Sequence, residues 1–307
     1  MNETFETSEN PRITIAECLG NLTIKGKEGN EVTVQTSDAP EDTSVTQEED
    51  AFIIKARGDC RITCPPGAPL TINAVRGDLK LRELRADVTI GEVNGGASLR
   101  DVGPTTIAQI FGDLRAQQVA GDLDVQSVAG DARVNDVEGK VTLAQVGSDL
   151  RAEGLARGLD AAAVGSDVRL GPPFAAEVTY TVRAGSDLSV KIPEDASVRF
   201  TLQAGGGVRC NIPDLVLHEE GGAVVGVLGE GEATLEAQVG GSVMLKQPGV
   251  EGDYQENFDF DFDFSFLDGL ADIGPIIEAR VADAMADLEI HLQESLQNID
   301  GDRIRMH

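Results

Sequence analysis

The sequence predicts an all-β protein: a two-sided parallel β-solenoid with about 18 residues per coil, a Phe-rich C-terminal strand, and one amphipathic α-helix. Three observations lead there. A nine-residue unit repeats through the middle of the chain, and the character of its fourth position alternates from one unit to the next. Residues 253–307 then leave the repeat for a different pattern.

The repeat runs from Gly77 to Phe174, through units such as "GDLRAQQVA", "GDLDVQSVA" and "GDARVNDVE"; one unit, "GGASLRDV", is a residue short. Its eighth position is aliphatic throughout, from Leu84, Val93 and Val102 to Leu155 and Val164. The fifth position, with Leu81, Ile90, Leu99, Ile107 and Val125 among its members, is also apolar, and the third is mostly Leu, Val or Ala. Apolar residues two apart share one face of a strand. The Gly-Asp opening is expected to make the turn, the glycine by a positive φ and the aspartate by bonding its own backbone. One unit cannot bury its apolar face alone, but stacked units can.

The fourth position tells how many units make a coil. Alternate units carry Lys80, Ser98, Arg115, Arg133, Arg151 and Arg169, and the units between them carry Thr89, Thr106, Asp124, Thr142 and Asp160. A column that recurs every second unit implies one unit on each of two sides, with rungs ~4.8 Å apart. Left-handed hexapeptide helices space their aliphatics evenly, whereas the inward gaps here run 2, 3 and 4. Calcium-binding nonapeptide repeats need a glycine-richer turn, so Asp78, Asp113, Asp122 and Asp131 are taken as turn formers.

The expected organisation has three parts. Residues 1–10 form an N-terminal tail, and 11–252 form the solenoid. Within it, irregular entry coils span 11–76, regular half-coils 77–174, and longer strands 175–252. The stretch "DAPEDTSVTQEEDA" is expected to be a polar surface loop. Residues 253–307 supply the Phe-Asp strand and the helix.

Composition agrees with thin, repetitive packing. Of 307 residues 41% are hydrophobic but only 4% aromatic, and 35 are glycine. The formal charge of −28, from 53 acidic and 25 basic residues, repels phosphate backbones and anionic membranes, so nucleic acid is not an expected partner. No stretch approaches the ~20 apolar residues of a membrane helix. The opening "MNETFETSENPR" has neither a basic nor an apolar signal region, so a cytoplasmic location is expected, with an extracellular one only by a non-standard route. Cys18, Cys60, Cys64 and Cys210 are too sparse for a disulfide framework, and Cys60 and Cys64 of "CRITC" fall on one strand face as core thiols.

The recurrent "AGDLDV", "VGSDVRL" and "AGSDLSV", preceded by "PRITIAECLGNLTIKG", resemble the bacterial β-strand-repeat family of putative adhesins over roughly residues 10–250. That resemblance implies a β-repeat fold and no catalytic residues.

No catalytic arrangement emerges around His218, His291 and His307, and no catalytic, metal or cofactor residue is assigned. The candidate docking ladder is Arg115, Arg133, Arg151 and Arg169, with Glu83, Asp101 and Asp136 as neighbours able to neutralise it. It is either a solvated face of mixed charge or a strip for an acidic partner, such as another copy's acidic tail. The second candidate is "FDFDFDFSF", in which Phe258, Phe260, Phe262, Phe264 and Phe266 share one strand face. Burying them contributes on the order of 7–15 kcal/mol, too much apolar surface to leave wet. The helix that follows runs from Pro275 to Gly301, with Ile277, Val281, Met285, Leu288, Leu292, Leu296 and Ile299 as its apolar stripe. Strand and helix either cap their own solenoid or pack on another copy. The function expected is a non-enzymatic, homo-oligomeric interaction scaffold that self-associates through its C-terminal Phe strand and helix. The alternatives are an adhesin-like module binding a protein or glycan along its faces, and a carbohydrate-active enzyme on a β-helix wall.

Overall fold

A computed structural model of the chain describes residues 2–36, 42–213 and 215–248. The chain divides into two units, Met1–Glu251 and Gly252–His307, and every described residue belongs to the first. The expected Phe strip and helix lie outside the described residues. Those described are all-β, with 27 strands in two sheets, a wall of 13 strands and a wall of 14. Among them no helix is long and apolar enough to cross a membrane.

The N-terminal end holds β1 (Asn2–Glu6), β2 (Arg12–Cys18), β3 (Leu22–Gly26), β4 (Glu31–Thr36), β5 (Thr43–Glu48), β6 (Ala51–Ala56) and β7 (Cys60–Cys64), followed by β8 (Leu70–Val75) and β9 (Leu79–Leu84). Its coils are not stacked in chain order. The β2–β3 coil is inserted between β6–β7 on one side and β8–β9 on the other, with parallel pairing to both. Outside β6–β7, the strands β5 and β4 close the stack by antiparallel pairing, and β1 adds antiparallel to β4. Two expectations are corrected here. Asn2–Glu6 is an edge strand rather than a tail, and Thr43–Glu48 is a strand inside the expected surface loop. An edge strand needs only one buried face and tolerates polar residues. Thr43 is buried, and Phe5 reaches an edge-to-face contact with Phe52 at 5.7 Å.

The regular middle comprises β10 (Val88–Val93), β11 (Ala97–Val102), β12 (Thr105–Ile110), β13 (Leu114–Val119), β14 (Leu123–Val128), β15 (Ala132–Val137), β16 (Val141–Leu143), β17 (Leu150–Leu155), β18 (Leu159–Val164) and β19 (Val168–Leu170). Even-numbered strands join the 14-strand wall and odd-numbered ones the 13-strand wall, all parallel. Ala132 therefore pairs with Leu150, 18 residues on. The short unit shifts no register: Ala97 pairs with Leu114, because the missing residue comes out of the two-residue turn Gly103–Pro104. The third, fifth and eighth positions point inward, and Leu99, Val125, Leu143 and Val164 are among the buried residues of one continuous core.

The turns work differently from the expectation. Gly77, Gly112 and Gly130 do not carry the positive φ; they are needed because neighbouring turns nearly touch. A Cβ on Gly112 would lie 2.8 Å from the carbonyl carbon of Gly95 in the turn below. The aspartates bond the next rung instead of their own backbone. The amide N–H of Asp131 donates to Asp113 Oδ1 at 2.9 Å, that of Asp149 to Asp131 at 3.3 Å, and that of Asp167 to Asp149 at 3.2 Å. Asp187 and Ser242 continue the series. Positive φ falls at the seventh position of the 13-strand wall, on Glu83, Asp101, Gln118 and Asp136. An inward gap of three residues breaks the two-residue pleat, and one left-handed residue restores the inward direction at the eighth position.

At the C-terminal end lie β20 (Thr179–Ala184), β21 (Leu188–Lys191), β22 (Val198–Ala204), β23 (Val208–Asn211), β24 (Leu217–Glu220), β25 (Ala223–Leu228), β26 (Ala233–Val239) and β27 (Val243–Lys246). The insertion seen at the N-terminal end recurs. The β26–β27 coil lies between β20–β21 and β22–β23 and pairs parallel with both. The antiparallel hairpin of β25 and β24 covers β22 on the 14-strand wall.

Candidate functional site

The outer face of the 13-strand wall presents the first candidate. Lys80, Ser98, Arg115, Arg133, Arg151 and Arg169 occupy one outward column, each the direct register partner of the next. The four predicted arginines are therefore brought together, on adjacent strands ~4.8 Å apart. Arg115 and Arg133 are half-buried by their neighbours, and Arg151 and Arg169 are exposed. Ser189, Met244 and Arg209 continue the column towards the C-terminal end.

A second basic run lies two residues along the strands, where Lys25, Arg82 and Arg100 are register partners. In the repeat it is carried by the sixth position, at Arg82 and Arg100, and a reading of the fourth position alone missed it. Lys80 shows the crowding. Its pKa is lowered from the ordinary lysine value, first by burial and then by the charge of Arg82, with Asp78 acting in the opposite direction.

The expected neutralisers act only in part. Glu83 pairs with Lys25 at 3.3 Å rather than with the ladder. Asp101 and Asp136 sit at the left-handed bend of their strands, and among the described residues no ion pair joins either of them, or any other carboxylate, to Arg133, Arg151 or Arg169.

The corresponding column of the 14-strand wall starts with Thr46 and Ile53 and runs through Thr14, Thr71, Thr89 and Thr106. From there carboxylate and hydroxyl alternate as Asp124, Thr142, Asp160, Thr181, Glu236 and Thr201. Like charges on this wall are thus two rungs apart. Between Leu70 and Val164 its strands contain no lysine or arginine.

The other predicted features divide between core and undescribed residues. Cys60 and Cys64 are buried in the core, where desolvation pushes the Cys64 thiol up to about 12, whereas Cys210 is exposed on β23. Among the described residues no group of three or more His, Cys, Asp and Glu side chains is placed to hold a metal ion. Phe258, Phe260, Phe262, Phe264 and Phe266, and the helix stripe from Ile277 to Ile299, lie outside the described residues.

No family model matches the chain, and no curated protein matches it. Solved structures similar to it include two bacterial proteins. A "putative cell adhesion protein" from Clostridium sporogenes is 12% identical, over 80% of this chain and 99% of its own, with a TM-score of 0.24. A "putative adhesin" from Bacteroides fragilis is 11% identical, over 80% of this chain and 96% of its own, with a TM-score of 0.23.

Proposed function

We propose that this protein is a non-enzymatic interaction scaffold, a β-solenoid that holds an acidic partner against the arginine face of its 13-strand wall. The observation that carries this reading is the in-register ladder of Arg115, Arg133, Arg151 and Arg169. Each adjacent pair of cations costs under ~1 kcal/mol in salt water, so the fold tolerates the ladder without needing it. A chain with 25 basic residues against 53 acidic ones nevertheless sets four of them side by side. An acidic ligand turns that repulsion into attraction, and a guanidinium grips a carboxylate through two parallel N–H donors. Because arginine stays protonated, such a face binds anions without acting as a base.

The test is a calorimetric titration of the full chain with poly-L-glutamate and, separately, with a polyuronate. Binding is expected, at least tenfold weaker in the Arg133→Ala/Arg151→Ala variant and lost in high salt. Absence of binding, or equal binding by the variant, overturns the reading. A preference for the polyuronate turns it towards an adhesin-like module, which the regular array of one cation per rung would suit.

Self-association through residues 258–299 is part of the same proposal, supported by the amount of apolar surface in that sequence. Light scattering of the full chain beside one ending at Gly252 tests it: an oligomer that becomes a monomer on truncation supports it. A full chain already monomeric removes it.

A further inference from the structure

We propose that the acidic partner of the arginine face is the 14-strand wall of a second copy, so that copies stack wall against wall. This rests on the reading of the ladder as a docking face and names its occupant.

The first support is periodicity. Each coil contributes one strand to either wall, so both outward columns have the same repeat, and two copies laid face to face stay in step however far the contact runs. An extended peptide laid along the ladder presents like side chains at twice ~3.3 Å, so it binds in step with rungs ~4.8 Å apart over only about two of them, whereas a second wall stays in step throughout.

The second support is charge. From β9 to β19 the 13-strand wall carries seven basic and four acidic residues, and from β8 to β18 the 14-strand wall carries no basic and three acidic residues, Glu92, Asp124 and Asp160. Glu92 already binds Arg76 at 3.0 Å, which leaves Asp124 and Asp160 with Thr142 between them. Arg115, Arg133 and Arg151 opposite these three each meet an acceptor: a carboxylate, a hydroxyl, a carboxylate.

The third support is size. Six strands of about 20 Å, spaced ~4.8 Å, offer roughly 580 Å². Two such faces bury about 1,200 Å², the lower end for a specific interface. The contact is therefore weak and salt-sensitive. It joins different faces, so it leaves a free face at each end and the mass keeps rising with concentration.

The experiment is sedimentation velocity of the full chain over a concentration series in ~0.15 M salt. It is run on wild type, on Arg115→Glu/Arg151→Glu, on Asp124→Arg/Asp160→Arg, and on an equimolar mixture of the two variants, all first shown by circular dichroism to keep the wild-type β spectrum. The expectation is a concentration-dependent mass for wild type, at least a tenfold weakening in each variant alone, and recovery in the mixture, where Glu meets Arg. Wild type that stays a single chain overturns the inference, as does assembly that neither reversal changes. Assembly that only the arginine reversal abolishes also overturns it, but leaves the scaffold reading standing, because polyglutamate binding is judged separately.

Discussion

Between Leu70 and Leu170 the two walls of the stack come from the same coils, share one core and repeat at the same spacing, yet their outer faces differ in charge and in how that charge is arranged. On the 14-strand wall, Asp124 and Asp160 are separated by Thr142, as repulsion alone would have it. On the 13-strand wall four arginines stand on consecutive strands. Packing fixes the inward columns on both sides and leaves the outward ones free. The difference between the walls is therefore information the fold did not demand, and it makes the arginine face the place to look for function.

If the walls share one core, they lose equal stability when it is hollowed. Leu99→Ala on the 13-strand wall and Leu143→Ala on the other, both 1% exposed, should each cost about 2–4 kcal/mol in urea unfolding. A gap of more than ~1 kcal/mol between them would mean that the walls are not equivalent inside.

A pH titration probes the 13-strand wall from within. Cys64 is raised from 9.0 to about 12 by burial. The folded chain therefore keeps the thiol proton where the unfolded chain has lost it. This contribution is unaffected below about pH 9, and stability falls as pH rises from about 9 to about 12. Cys64→Ala should flatten that part of the stability profile, and at pH 8 iodoacetamide should label exposed Cys210 while sparing Cys64.

The turn that joins the walls comes next in size. Asp131→Ala removes an acceptor for the Asp149 amide and should cost about 1–2 kcal/mol, with Asp131→Asn recovering part of it. Asp124→Ala, an outward aspartate on the 14-strand wall, should change stability by less than ~0.5 kcal/mol.

The smallest effect separates the outer faces. Arg133→Ala/Arg151→Ala should stabilise the fold by under ~1 kcal/mol at low salt, and not at all near 1 M. Thr142→Arg, placed between Asp124 and Asp160, should gain a few tenths of a kcal/mol under the same conditions. Destabilisation by the arginine replacements would mean that the ladder is structural, its stems packing over the sheet, and would weaken the docking reading.

The nine-residue unit made the middle of this fold legible because each inward column is local in sequence: Leu99, Ile107 and Val125 announce themselves at fixed offsets. The arginine ladder was legible for the same reason. The second basic run at Arg82 and Arg100 was not, since the sixth position is basic in only these two units and the third member, Lys25, lies outside the repeat. The role of Asp131 was hidden because its partner is 18 residues away in the sequence, while an aspartate after a glycine suggests a bond to its own turn. Glycine was misread in the same way: at Gly112 the constraint is a neighbouring backbone, which no single unit displays. The ends were the least legible, because β26 inserts between β20 and β22 and nothing in the order of the strands along the chain gives their order in space.

That insertion changes how such a stack comes apart. A pile of coils in chain order can peel from either end, one layer at a time, as a roll of tape does. Here the first and last complete coils are each gripped on both sides, so a pull on the segment after Lys246 must break two ladders at once and would leave an empty slot behind the outermost coil. Both ends are fastened like a belt tucked under its own loop, and unravelling must begin by lifting the outer coil away.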